Sequence, residues 1–320
     1  MNYIFYPTLE SAIIPIHINF IKNSLKMSDV FLSGEFIEKL YNNIEQSSQT
    51  HFILDFEYIF YSSSYAFERF AELKGKHLII LNLESEKFHN ALKAECPLLT
   101  EGDYNRNILS DKEGMSFYTS NLSFIQSSKK YHLDKLINKC LEREKDEYYI
   151  SSSNIFGNSY FDLKKIFYNP IDSLFIAYEL ATLIKKKYNS LTSDRKNNSH
   201  KKVKLLCSSF NGAVLATMVG KLLDLSVLYI MKLGPDISLR DKELINEINV
   251  NDEFFYIADM SCLGTEFKLT KTIIKLLGAD IVGSALVVKY IDPDNNNKLD
   301  SLVEFVDGDD FNYKLTIRKK

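Results

Sequence analysis

Residues 254–268 read "FFYIADMSCLGTEFK". The apolar run ahead of Asp259 has the length and composition of a buried strand, and it ends on that single acid. A small-residue loop around Gly264 follows, then a helical pattern that opens with charge. Strand, tight turn and helix start, in that order, build a cradle for phosphate. The first-turn amides have no intrahelical partner, and the helix dipole favours an anion there. Two positions where such a turn usually carries helpful chemistry hold Ala258 and Glu266.

The flanking sequence repeats the alternation. A strand "VKLLCSS" leads to a turn at Asn211 and Gly212, a helix "AVLATMVGKLLD", a strand "SVLYIMK" and a long loop from 233 to about 252. After the opening stretch come a helix "EFKLTKTIIKLLG" and a strand "DIVGSALVVKY". Continuous apolar strands alternating with helices predict a parallel sheet covered on both faces. Ligands of such sheets bind beyond the carboxyl ends of the strands, where three polar turns gather: 208–212, 232–234 and 259–266. Upstream, "NPIDSLFIAYELATLIKKKY" predicts a helix capped by Asn169, with Pro170 in its first turn and Lys185, Lys186 and Lys187 at its end. The polar stretch "NSLTSDRKNNSHKK" after it reads as a surface loop.

The N-terminal third is also α/β. "SGEFIEKLYNNIEQ" places Phe36, Ile37, Leu40 and Ile44 on one helical stripe behind Ser33 as an N-cap, and "HFILDFE" and "HLIILNL" read as buried strands. Helices are expected around "SSYAFERFAELKG" and from 85 to about 94. Between 98 and 145 the signals weaken into a connector that ends in a helix, "YHLDKLINKCLERE". Three segments result: a small α/β domain over 1–97, the connector, and a larger α/β domain over 146–320.

Composition excludes several function classes. With 39 basic and 42 acidic side chains the net charge is −3, which argues against a polyanionic partner such as nucleic acid. Cys96, Cys140, Cys207 and Cys262 make no metal or redox spacing, and the six histidines show no ligand spacing, so no protein-held metal is expected. Asp55 and Glu57 point the same way from one strand, but turn or capping duty explains them better. "DPDNNNKLD" lacks the Gly and closing Glu of a hand-type calcium loop. No signal peptide and no membrane-spanning run is apparent, so a cytoplasmic protein is expected. The Ile, Asn, Lys and Tyr bias without Trp suggests an AT-rich bacterial gene.

Over residues 148–320 the chain resembles a type I phosphoribosyltransferase. "IADMSCLGTEFK" keeps Asp259, Gly264 and Thr265 of the family's phosphoribosyl loop but carries Ala258 for the first acid and Glu266 for the last hydroxyl. "CSSFNGAVLA" (207–216) is similar to the family's pyrophosphate loop, and "YISSSNIFGNSYFDLKKI" (149–166) to the segment that opens orotate phosphoribosyltransferases. The resemblance implies Asp259 on the ribose hydroxyls, with Ser261, Cys262, Leu263, Gly264 and Thr265 around the 5-phosphate. It implies Ser208, Ser209, Asn211 and Gly212 on pyrophosphate. Lys232, with Arg240 or Lys242 from a lid loop, would neutralise the leaving group. Ser152, Ser153, Tyr160 and Phe161 would form a hood over the acceptor, although core packing explains the aromatics equally well. Mg2+ would accompany phosphoribosyl pyrophosphate, and a homodimer is the family's usual state.

Residues 51–83, "HFILDFEYIFYSSSYAFERFAELKGKHLIILNL", are similar to a STAS-like domain, in which an Asp-ended strand leads to a phosphorylatable Ser turn. Ser62, Ser63 and Ser64 cover that turn, where N-capping competes with regulation.

Three functions stay open on the sequence. One is transfer of phosphoribose to or from a nucleobase-like acceptor. A second is a degenerate nucleotide or phosphoribosyl sensor that signals to a protein partner through the STAS-like domain, in a stress or defence system. The third is a ligand-free interaction protein, expected to tolerate any residue at Gly212 and Gly264.

Overall fold

The computed structural model describes residues 6–7, 11–15, 31–48, 51–55, 61–62, 69, 77–83, 107–110, 129–143, 149–150, 156–157, 159–193, 203–230, 247–262, 264–291 and 299–306. The chain divides into two compact units, 1–135 and 136–320.

In the first unit, β1 (Tyr6–Pro7), β2 (Ser11–Pro15), β4 (His51–Asp55), β6 (His77–Leu83) and β7 (Asn107–Ser110) form one sheet in the order β1-β2-β4-β6-β7. All its pairings are parallel except β1 with β2. A second, two-residue pairing joins β3 (Phe31–Leu32) to β5 (Tyr61–Ser62) in parallel. The helix α1 (Gly34–Gln46) starts at Ser33, whose Oγ accepts from the Phe36 amide at 3.3 Å. It buries Phe36, Ile37, Leu40 and Ile44 as the periodicity predicts, and Tyr41 as well.

The second unit begins with strand pairs. The helix α2 (129–140) gives way at once to β8 (Leu141–Arg143), where the sequence reads as continuing helix to 144. The reason is tertiary. Residues 141–143 pair antiparallel with β11 (Ser159–Phe161), and the Asp162 amide donates to the Cys140 carbonyl at 2.9 Å. The strands β9 (Tyr149–Ile150) and β10 (Phe156–Gly157) form a further antiparallel pair. A short helix α3 (Lys164–Phe167) leads into α4 (Pro170–Ser193), which runs past the three lysines taken as its end. Asn169 Oδ1 accepts from the Ile171 amide at 2.9 Å, so the cap stands where the sequence puts it.

The core of this unit is a five-stranded parallel sheet in the order β13-β12-β14-β15-β16. Its strands are β12 (Val203–Cys207), β13 (Val227–Tyr229), β14 (Glu253–Ser261), β15 (Asp280–Ile291) and β16 (Ser301–Val306), the last unforeseen from the sequence. Between them lie α5 (Phe210–Leu223) and α6 (Thr265–Leu276). The pleat sends alternate residues to opposite faces. Leu206, Phe254, Tyr256, Ala258 and Leu286 face α6, packing in one cluster with Ile274 and Phe267. Leu205 faces α5, close to Gly220. Helices therefore cover both faces, and the mixed α/β class read from the sequence is the observed one.

At the amino end of this sheet, Lys204 Nζ lies 2.7 Å from Asp252 Oδ2 and 3.0 Å from the Glu247 carbonyl, and the Asn249 amide donates to the same Asp252 oxygen at 3.0 Å. Burial pushes the Asp252 carboxyl up, but the Lys204 and Asn249 bonds together outweigh it and hold the carboxyl below its ordinary value. A carboxyl lowered on folding stabilises the fold above its unfolded pKa, and that contribution disappears as pH falls through the folded value. Urea unfolding at neutral pH should show Asp252→Asn destabilised by about 1–3 kcal/mol. The gap from the parent should shrink as the buffer is acidified through the carboxylate range. A gap that does not vary with pH would refute the assignment.

Candidate functional site

Numbered within the sheet, the strand order is 2-1-3-4-5, which reverses direction between β12 and β14. The crevice beyond the carboxyl ends of such a pair is where doubly wound sheets take ligands. Ser208, Ser209, Asn211 and Gly212 follow β12, and Asp259 and Ser261 lie at the end of β14.

Two of the predicted groups meet there. Asn211 Nδ2 donates to Asp259 Oδ2 at 2.7 Å, and Ser209 Oγ donates to Asp259 Oδ1 at 3.4 Å. Ser209 also caps α5, its Oγ accepting from the Gly212 amide at 3.0 Å. The segment read as a turn at Asn211 and Gly212 is thus the first turn of a helix; the serine cap overrides the turn preference of Asn and Gly. Ser208 Oγ shares a 2.8 Å hydrogen bond with the Tyr256 hydroxyl, whose ring meets Phe267 edge-on at 5.3 Å between centroids. Burial raises the Tyr256 pKa, the nearby Glu266 charge adds to it and the Ser208 bond opposes it, so the group is a neutral phenol at physiological pH.

Across from this cluster, α6 starts at Gly264, buried and in the left-handed conformation (φ 65°), with no side-chain cap on the helix. Thr265 and Glu266 are exposed in its first turn. Cys262 is half-buried; burial, and then the Asp259 charge, raise its thiol pKa, so it is no activated nucleophile. Cys207 is pushed up to about 12 by burial.

Ala258 is 4% exposed within the apolar cluster that faces α6. Core packing holds this position, and an ionised carboxylate there would lose its hydration. The remaining candidates divide between placed and undescribed positions. Tyr160 and Phe161 lie on β11, paired with Glu142 and Leu141. Ser62 lies on β5. Ser63, Ser64, Ser152, Ser153, Lys232, Arg240, Lys242 and Leu263 fall outside the described residues, as do Glu57, the 85–94 helix and most of the 233–252 loop.

One residue at this edge escaped the sequence reading. Lys289 on β15 stands level with Ser261 of β14 and Glu304 of β16. It is buried, with Nζ 3.7 Å from Glu304 Oε1. The available signal was a lone cation closing the apolar run "ALVV". Among the described residues no group of three or more His, Cys, Asp or Glu converges as a metal site, and no helix is long and apolar enough to cross a membrane.

Among solved structures, the chain is similar to phosphoribosyltransferases. Adenine phosphoribosyltransferase from Thermoanaerobacter pseudethanolicus is 10% identical, with 53% of this chain and 99% of that one covered and a TM-score of 0.39. Orotate phosphoribosyltransferase from Aeropyrum pernix is 14% identical over 49% and 81%, with a TM-score of 0.35. Leishmania donovani UMP synthase is 10% identical over 86% and 76%, with a TM-score of 0.39. No protein-family model matches the chain, and no curated protein does. Values this low carry no statement about activity.

Both site glycines have reasons of their own to be glycine. A Cβ on Gly212 would sit 2.8 Å from Ser209 Oγ and 3.1 Å from the Ile257 carbonyl oxygen, and Gly264 has a positive φ that side chains resist. Intolerance at these positions therefore does not separate a ligand-binding protein from a structural one. Thermal or urea unfolding should show Gly212→Ala losing roughly 1–3 kcal/mol through overpacking. Ser209→Ala should lose about 1 kcal/mol as the cap is removed. Parental stability in both variants would contradict the observed turn.

Proposed function

We propose that the C-terminal unit binds a phosphorylated ribose, of the phosphoribosyl pyrophosphate or nucleotide class, at the carboxyl edge between β12 and β14. One observation carries this reading: the two loops that resemble the family's pyrophosphate and phosphoribosyl loops meet through Asn211 and Asp259 at the switch point of the sheet. Asp259 accepts from the ribose hydroxyls. The first-turn amides of α6 and the Thr265 hydroxyl receive the 5-phosphate, and those of α5 the diphosphate. Because Ser208 and Ser209 already bond within the protein, diphosphate recognition falls more on backbone than on their hydroxyls.

The described residues supply Asp259 as the carboxylate beside such a ligand. They fit Mg2+ that arrives on the diphosphate oxygens better than Mg2+ held by a protein cage, and the ion would supply charge neutralisation of the leaving group. In the catalytic form of this reading, phosphoribose passes to or from a nucleobase-like acceptor under the 149–161 segment, with Lys232 and Arg240 as cations. A second form, recognition without turnover, is favoured by Ala258. Its side chain is committed to the core, so one of the family's two acids is gone in a way that no rotamer restores. In that form the N-terminal unit passes occupancy to a protein partner, with Ser62, Ser63 and Ser64 as candidate modification sites.

A thermal-shift titration with phosphoribosyl pyrophosphate and Mg2+ should raise the melting temperature as ligand stabilises the folded state. Asp259→Asn should weaken binding about ten- to hundredfold, the worth of one charged hydrogen bond. A folded parent protein that gives no shift at millimolar ligand refutes the reading. Pyrophosphate release with any nucleobase in the same mixtures selects the catalytic form.

A further inference from the structure

Asn211 and Ser209 lie on the segment that resembles a pyrophosphate loop, yet their side chains are turned to another task. Asn211 Nδ2 donates to one oxygen of Asp259 at 2.7 Å and Ser209 Oγ to the other at 3.4 Å, so both carboxylate oxygens are fixed from the N-terminal turn of α5. Ser209 is itself held, because its Oγ accepts from the Gly212 amide at 3.0 Å. Gly212 leaves room for this approach, because a Cβ built on it would lie 3.1 Å from the Ile257 carbonyl oxygen. The carboxylate therefore has one orientation, set by residues 48 and 50 positions earlier in the chain.

Its chemistry follows from lone-pair counting. An ionised carboxylate accepts at about four sites, and two of them are occupied. Two adjacent hydroxyls are donors that would fill the two that remain. The donor on Oδ2 is a neutral amide, which orients the carboxylate without cancelling its charge as a lysine or arginine would. Ala258 offers no second acceptor beside it.

We infer that Asn211 is a positioning residue that makes Asp259 selective for a vicinal diol, so that the site distinguishes ribose 5-phosphate from 2-deoxyribose 5-phosphate. This rests on reading the site as one for phosphorylated ribose. Asn211 is not assigned to the diphosphate itself. The side chain acts through Asp259, and its loss alters sugar discrimination rather than phosphate capture.

The test is calorimetric titration of the full chain with ribose 5-phosphate, 2-deoxyribose 5-phosphate and inorganic phosphate, for the parent, Asn211→Ala and Asn211→Asp, each shown to be folded by its melting curve. The parent should prefer the ribose compound by about tenfold or more, the effect of a polar group left unpaired. Asn211→Ala should bring that preference close to unity, with the ribose compound losing affinity and the deoxy compound keeping it. Asn211→Asp keeps the size of the side chain but sets two carboxylates against each other. Its ribose 5-phosphate binding should be weak at pH 8 and recover as the pH falls and the pair takes up a proton. A parental preference retained in Asn211→Ala, or a pH-independent Asn211→Asp, overturns the inference and leaves the phosphoribose site standing. A parent that binds neither sugar phosphate overturns both.

Discussion

β14 is paired in parallel on both sides, with β12 along one edge and β15 along the other, from the first paired residue, Glu253, at the amino end. A strand in that position has no solvent-facing side. Its residues through Ala258 are buried, alternating between the α5 and α6 faces. Asp259 stands three residues beyond Tyr256, the last residue of β14 that pairs with β12. The site is thus a consequence of the sheet: its acid lies on β14 beyond the last residue paired with β12, next to the reversal in strand order.

The same alternation explains why the two unusual residues of the opening stretch are not equivalent. Ala258 points into the apolar cluster under α6, where packing density rewards a small side chain and penalises a charge. Glu266 is exposed in the first turn of α6, where the helix dipole favours a carboxylate. Its field reaches the Tyr256 hydroxyl and adds to the upward shift there. One departure removes a group from the site; the other sets a negative charge at the rim of an anion-favouring helix start.

Legibility in the sequence followed the range of the interaction that decides each feature. β14 and β15 could be read from uninterrupted apolar runs, and α1 and α4 from periodicity and caps, because those signals are local. The start of α5 was misplaced by three residues, since Asn211 and Gly212 carry strong turn preferences and the deciding bond is the Ser209 cap. The extended form of β16 and of the strand at 141–143 is fixed by partners elsewhere in the chain. The Asn211 to Asp259 bond spans 48 positions and leaves no local trace. Asp259 itself was legible as a lone acid ending an apolar run. Its partners were legible only as members of a loop.

These contacts bear on what the site can do. Turnover requires contacts that strengthen in the transition state, whereas recognition requires only that the bound state be complementary. The described side chains at the crevice are largely engaged before any ligand arrives: Ser208 with Tyr256, Ser209 with Gly212 and Asp259, Asn211 with Asp259. Such a network lowers the reorganisation needed to receive a diol and a phosphate, which favours ground-state affinity. Charge that develops on a departing diphosphate must instead be met by cations, and Lys289, the buried lysine at this edge, is already paired with Glu304.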